Sequence, residues 1–236
     1  MTDTKQKILD TAERLIAEQG YAATSLRHII AEAGVNLAAI HYHFGSKEEL
    51  LDEIVQRKAG PVNEQRLAWL DRIEREAAPA APAVDSVLES FLRPMAEAAD
   101  RNPSFVPFMG RMLAEGLMPI ILARHFQPVA TRLTGALRRA VPNLTDEEFA
   151  WRMHFMSGAM AHTMCGARLF PSLGGAGSDF RTRIGLLVTF LNAGFGAPGT
   201  APGTAPGTAP KTAPDTAPGT APGTAPETIE SRSEDR

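Results

Sequence analysis

From Ala197 to Thr228 the chain reads Ala-Pro-x-Thr eight times, with Gly, Gly, Gly, Lys, Asp, Gly, Gly and Glu at x. Proline at every fourth position forbids both helix and sheet. The stretch holds no large apolar residue that could offset the entropy of ordering its backbone. Together with the last eight residues it is expected to form a disordered tail of extended, polyproline-like character over 197–236. Any fold must come from the first 196 residues, which suffice for a sizeable core and suit one or two small domains.

Within those residues glycine sets the punctuation. Ile8, Ala12, Leu15 and Ile16 form a helical stripe that Gly20 stops. A second segment is expected to be capped by Thr24 and places Leu26, Ile29, Ile30 and Ala33 on one side. Gly34 ends it, because a chain leaving a helix through a left-handed residue favours glycine. A very short third segment follows, capped by Asn36 and anchored by Val35, Ile40 and Phe44. The fourth opens with the capping box Ser46-Lys47-Glu48-Glu49 and carries Leu50, Leu51, Ile54 and Val55 inward. Two short helices joined by Ala33-Gly34-Val35-Asn36 after a longer first helix give a helix-turn-helix layout.

Gly60-Pro61 is expected to kink or break the fourth helix, after which Arg66, Leu67, Trp69, Leu70 and Ile73 resume helical spacing. An Ala/Pro linker at Ala77–Pro82 leads to helical segments at about 83–101, 104–116, 118–140, 145–169 and 178–195. Pro94 and Pro128 are candidate kinks. No sustained alternation marks a strand, so the predicted fold is all-α: a helical head over 1–58, a helical regulatory body over 59–196 and the tail.

Charge limits what the head can do. The chain carries a net −3, and its first 58 residues hold seven Lys or Arg against nine Asp or Glu. Nucleic-acid binding therefore requires a local basic face rather than a basic domain. One cysteine, Cys165, excludes an internal disulfide framework. No apolar run approaches the ~20 residues of a membrane span, and the N-terminus lacks the character of a signal peptide. These features point to the cytoplasm.

Thr24-Ser25-Leu26-Arg27, Ala33-Gly34-Val35-Asn36 and Tyr42-His43-Phe44-Gly45-Ser46-Lys47-Glu48-Glu49-Leu50 resemble the TetR/AcrR family of bacterial regulators over roughly residues 5–55. The chain departs from the family's usual pattern at His41, where a tyrosine is common, and at Ile30, where a small residue is. The resemblance implies that the third helix enters the major groove of operator DNA, and that the body dimerises and binds a small molecule. The candidate DNA contacts are Arg27, Asn36, Leu37, Ala38, Ala39, His41, Tyr42, His43 and Lys47. Small side chains at Ala38 and Ala39 permit close approach to base edges. Tyr42 and His43 suit phosphate, His43 equally suits a carbonyl, and Lys47 adds a cation at a helix N-terminus. His41 and His43 point about 200° apart on a helix, so one ion cannot take both. No metal or other cofactor is expected, and no catalytic constellation is present. Gly174-Gly175-Ala176-Gly177 lacks the lysine of a phosphate-binding loop.

The body concentrates methionine: all eight beyond Met1 lie between Met95 and Met164. Such a region fits an adaptable ligand cavity or a methionine-rich core, which share one periodicity. The cavity candidates are Phe105, Phe108, Met109, Met112, Phe126, Phe155, Met156 and Met160. Gly34–Ala39, the stretch after Gly60-Pro61, Trp151-Arg152 and Phe155–Met160 resemble the branch of the family that regulates fatty-acid metabolism in pseudomonads. That implies a small hydrophobic, acyl-type ligand; Arg111, Glu115, Arg124 and His125 are candidate polar partners for its head group, or more simply solvated or salt-bridged residues. Gly158 and His162, together with Ile184, Leu187, Val188 and Leu191, are the candidate dimer interface. The function so implied is a ligand-responsive, homodimeric repressor on near-palindromic double-stranded DNA. The alternative is a nucleoid or division factor with no small-molecule signal.

Overall fold

The structure is a computed structural model that describes residues 4–165 and 179–199. The repeat from residue 200 onward and the glycine-rich loop at 174–177 lie outside the described residues. Among the described residues the chain is all-helical, without a strand. The helices are α1 (Thr4–Gln19), α2 (Leu26–Ala33), α3 (Leu37–Phe44), α4 (Lys47–Ala77) and α5 (Val84–Arg101). They continue with α6 (Phe105–Ala114), α7 (Met118–Ile121), a π turn (Leu122–Phe126), α8 (Gln127–Ala140), α9 (Asp146–Cys165) and α10 (Phe180–Gly196). No single helix among these residues is long and apolar enough to cross a membrane.

α4 runs unbroken for 31 residues with Pro61 inside it, so the expected break at Gly60-Pro61 does not occur. An interior proline costs a helix ~3 kcal/mol. Here its ring stands exposed, while Ala59, Gly60 and Val62 are buried around it. Burying apolar side chains at ~1.5–3 kcal/mol each offsets the lost hydrogen bond. The boundary expected between residues 58 and 59 thus falls within a helix that head and body share. One contiguous core runs from Ile8 through Phe108 and Leu133 to Phe195.

The segment expected as one helix over 118–140 is instead divided by the π turn. Pro128, at the start of α8, has no N–H for the carbonyl four residues back, and its ring clashes there. Widening the preceding turn relieves that clash. Pro94 is accommodated inside α5, where it is buried. At the far end, Arg152 of α9 caps α10. Its Nη1 donates to the carbonyls of Gly194, Phe195 and Ala197 at 2.8, 2.9 and 2.7 Å. Those are the orphan acceptors that every helix C-terminus leaves.

Candidate nucleic-acid interface

α2 is capped by Ser25, whose Oγ accepts from His28 N at 3.1 Å. The expected cap, Thr24, is displaced by one residue: it is fully buried and donates its hydroxyl to Gly20 O at 2.6 Å. Gly34 then reverses the chain at φ 63°, and Val35 N closes back on Ile30 O at 3.2 Å. This satisfies the carbonyls at the end of α2 in the left-handed geometry that glycine permits. Asn36 Oδ1 accepts from Ala39 N at 2.9 Å and starts α3.

Ile40 and Phe44 are buried against α1 and α4 and fix the rotation of α3. Its outward face then presents Leu37, Ala38, His41 and Tyr42, with Tyr42 85% exposed. Ala39 and His43 are half-buried at the edge of this face. The carbonyl contact considered for His43 belongs to His41, whose Nδ1 lies 3.0 Å from Gly45 O. Since that oxygen only accepts, Nδ1 carries the hydrogen and Nε2 of neutral His41 is left as an acceptor. His43 instead stacks edge-on with Tyr42, ring centroids 5.0 Å apart. The capping box at the start of α4 is complete: Ser46 N donates to Glu49 Oε2 at 3.0 Å and Glu49 N to Ser46 Oγ at 3.1 Å.

Lys47, expected at a phosphate, turns back onto the head, donating to Tyr21 O at 2.6 Å with its ammonium 4.0 Å above the Tyr21 ring. Burial lowers its pKa, and the half-buried amine closes the α1–α2 turn. Burial and the neighbouring Glu48 raise the Tyr21 phenol to about 12, so it stays neutral.

The head's acids are largely neutralised in place. Glu53 pairs with Lys5, Glu18 and Glu32 with Arg14, and Asp10 with Arg57. Glu13 holds Lys58 at 2.6 Å and also pairs with Arg57. Arg27 is exposed, next to α3, and makes no ion pair among the described residues.

A seam joins this head to the body. Glu115 accepts from Tyr21 N and Ala22 N, both at 3.0 Å, and Arg111 donates to Glu18 O at 3.1 Å. Gly20 makes the approach possible: at φ 96° its hydrogen faces Glu115, and a Cβ there would meet Oε1 at 2.1 Å. Arg124 and His125, in the π turn, bond Asp52 of α4, His125 Nε2 at 3.1 Å. The four polar residues expected beside a ligand head group therefore hold the molecule's parts together, and none of them lines the cavity described next.

That cavity, of about 70 Å³, lies between α4, α5, α6, the π turn, α8 and α9. Four of the expected residues line it: Phe105, Met109, Phe126 and Met160. Phe108 and Met112 do not, being packed fully into the core, with Lys58 over the Phe108 ring. Met156 is buried elsewhere, and Phe155 is 61% exposed on the outer face of α9. Arg66, which helical spacing set in line with Leu70 and Ile73 but which was not expected at a ligand site, is 4% exposed and stands in the cavity wall.

The expected dimer residues also divide. Ile184, Leu187, Val188 and Leu191 are buried within the chain, where α10 packs on α5 and α9. The opposite faces carry Trp151, Phe155, Leu186 and Phe190, all more than half exposed. Gly158 and His162 share the exposed stripe of α9 with Trp151 and Phe155.

The fold and the α2–α3 turn define a class, the all-helical helix-turn-helix regulators. Residues 8–54 match the model described as bacterial regulatory proteins, tetR family, and residues 85–194 match the tetracyclin repressor-like C-terminal domain. The chain belongs to the TetR/AcrR family of transcriptional regulators. It is 40% identical over 67 residues to the regulator AcrR of Shigella flexneri, covering 28% of this chain and 31% of that one. It is 40% identical over 52 residues to the repressor KstR2 of Rhodococcus jostii (22% and 26%). The aligned parts thus span less than a third of these relatives' length. A putative tetR family regulator from Shewanella sp. PV-4 shares the fold at TM-score 0.56 and 19% identity, covering 82% of this chain and 96% of that one. The fatty acid degradation regulator FadR from Bacillus halodurans does so at 0.53 and 17%, covering 81% and 95%. These relatives and neighbours are transcriptional regulators, not enzymes.

Proposed function

We propose that the protein is a ligand-responsive repressor that binds near-palindromic operator DNA in the cytoplasm as a homodimer. The observation that carries this reading is the outward face of α3. Its buried side is fixed by Ile40 and Phe44, and its exposed side offers Leu37, Ala38, His41 and Tyr42 beside the unpaired Arg27. Ala38 leaves room for the helix to approach base edges, and His41 Nε2 can accept from an adenine or cytosine amine. Tyr42 and Arg27 suit phosphate. Asn36 acts by starting the helix, Ala39 and His43 stand at the edge of its outward face, and Lys47 closes the α1–α2 turn.

Dimerisation through Trp151, Phe155, Leu186 and Phe190 would cover the large apolar side chains that α9 and α10 leave exposed. It would set two α3 helices about one DNA turn, or a multiple of it, apart. The body's cavity, with its methionine wall, is the seat proposed for a small hydrophobic ligand. A ligand favouring another body conformation would shift that spacing through α4, which belongs to both parts.

The test is selection of bound fragments from genomic DNA by the purified protein, followed by titration of an enriched site. We expect near-palindromic sites, and Arg27→Ala should reduce the salt slope of binding by about one per half-site. Absence of any enriched sequence, or Arg27→Ala and Tyr42→Ala variants that bind as tightly as the parent, would overturn the reading.

A further inference from the structure

The cavity's wall holds one feature that a purely apolar ligand does not explain. Arg66 of α4 is buried to 4% exposure, and no carboxylate among the described residues pairs with it. Its Nε donates to Phe91 O at 2.8 Å and its Nη1 to Asn63 Oδ1 at 3.0 Å. The guanidinium lies over the Phe91 ring, 4.0 Å from the centroid. The other lining groups named for this cavity, Phe105, Met109, Phe126 and Met160 among them, are apolar. A buried cation is normally matched by an anion, because its desolvation is otherwise uncompensated.

We propose that Arg66 is the counter-charge for the carboxylate of an apolar organic acid, bound in this cavity with its acid group innermost. This rests on the reading of the body as a ligand-binding unit and names the chemistry of the ligand. Leu122 and Ala130 line the cavity and are exposed, which puts the mouth on the π-turn and α8 side, while Arg66 stands on the buried inner wall. The acid group therefore enters first and the apolar body follows. A singly charged carboxylate balances one guanidinium and can accept from it in a planar, bidentate fashion. A dianionic phosphate would leave a second charge buried without a partner.

At about 70 Å³ the cavity is smaller than the ~300–1,000 Å³ of a preformed ligand pocket. The ligand's apolar body is accommodated by movement of Met95, Met109, Met118 and Met160, unbranched side chains that repack readily. The π turn contributes Leu122 and Phe126 to the wall. It is tied to the site through Asn63, which accepts from Arg66 and donates to His125 O at 2.9 Å. An anion on Arg66 thus competes with Asn63 Oδ1 for the guanidinium, and Asn63 is the residue whose amide holds His125 O.

The experiment is calorimetric titration of the full chain with decanoate, methyl decanoate and decyl phosphate, run in parallel with their effect on binding to the selected DNA. A charge-assisted pair predicts that decanoate binds about 10- to 100-fold more tightly than its ester and more tightly than the phosphate. Arg66→Met should bring decanoate down to the ester's affinity. Should that variant not fold, the acid–ester comparison on the parent still decides. Equal affinity for acid and ester, preference for the phosphate, or no binding by any of the three overturns the inference. Decanoate binding that leaves DNA affinity unchanged supports it while removing ligand-controlled release. DNA release that is equal for acid and ester removes the inference and leaves ligand control intact.

Discussion

Replacing Arg66 with methionine should make the folded chain more stable, although it removes two hydrogen bonds. Burial pulls the guanidinium down to about 9, so it is charged at neutral pH in a place that disfavours the charge. That fall corresponds to about 5 kcal/mol against the charged form in the folded state. The variant leaves Phe91 O and Asn63 Oδ1 without their arginine donor, at about 1 kcal/mol each. A gain of about 3 kcal/mol remains, within the ~1–4 kcal/mol found when buried charges give way to apolar side chains. In a domain of this size that raises Tm by roughly 6–12 °C. The assay is urea unfolding followed by far-ultraviolet circular dichroism, with the m-value compared between proteins. The sign of the pH dependence follows from the depressed value: the penalty on the parent is full below about 9 and fades as pH rises above it toward the ordinary arginine range. The variant's advantage should narrow over that window. Loss of more than about 1 kcal/mol in the variant at an unchanged m-value would refute the reasoning. Arg66 would then be a tie that the fold requires rather than a charge held at a cost for a ligand.

Three other perturbations separate roles that the structure assigns to different residues. Leu186→Glu with Phe190→Glu should abolish self-association, read by light scattering, at little cost to the monomer's fold, whereas Ile184→Ala should lower stability by about 2–4 kcal/mol. The Glu13 carboxyl is opposed by burial, yet hydrogen bonds and charge from Lys58, Ser104 and Arg57 hold it below its ordinary 4.5. Its contribution is therefore complete above 4.5 and lost as pH falls through the lower folded value, so Glu13→Gln should destabilise by about 3 kcal/mol at neutral pH and progressively less in acid. Asp52→Asn weakens the bonds from Arg124 and His125, and calorimetry should show ligand affinity unchanged while the ligand's effect on DNA affinity shrinks.

Helix order and the helix-turn-helix were legible because local chemistry decides them. Gly20 and Gly34 mark places where backbone sign matters, and Ser46 with Glu49 satisfies orphan N–H groups whatever surrounds them. What escaped was set by packing. α10 is apolar on most of its circumference, so spacing could not tell Ile184 and Leu187, which face α5 and α9, from Leu186 and Phe190, which face out. Arg66 lies in line with Val62, Leu70 and Ile73, all buried. A cation in an apolar stripe was a readable signal, but an arginine in an amphipathic helix is ordinarily taken for a snorkelling surface residue. The π turn needed knowledge of what Pro128 does to the carbonyl four residues back, which composition does not convey. Arg111, Glu115, Arg124 and His125 stayed open between two readings for a related reason. Ionic groups near an apolar region can serve a ligand or a seam between helices, and only their partners distinguish the two.

The acidity of the head then has a structural meaning. Six of its nine acids sit in ion pairs, and Glu48 and Glu49 accept from Tyr21 and from the start of α4. Most of its cations are engaged by the same contacts, and Lys47 is turned onto Tyr21. Exposed pairs of this kind add little stability. Their larger effect is on the field around α3, because the paired acids of α1 and α4 are neutralised while Arg27 makes no ion pair among the described residues. Non-specific attraction to the phosphate backbone is thereby kept small, because that attraction scales with the number of cations free to release counterions. Under the proposed reading, a larger share of the operator affinity would come from base edges and the fit of Ala38, His41 and Tyr42. In the proposed dimer, heads that hold DNA mainly by geometry would be released by a change of spacing, and the seam of Gly20 against Glu115, the Asp52 contacts of the π turn and the uninterrupted α4 are the parts that would deliver one.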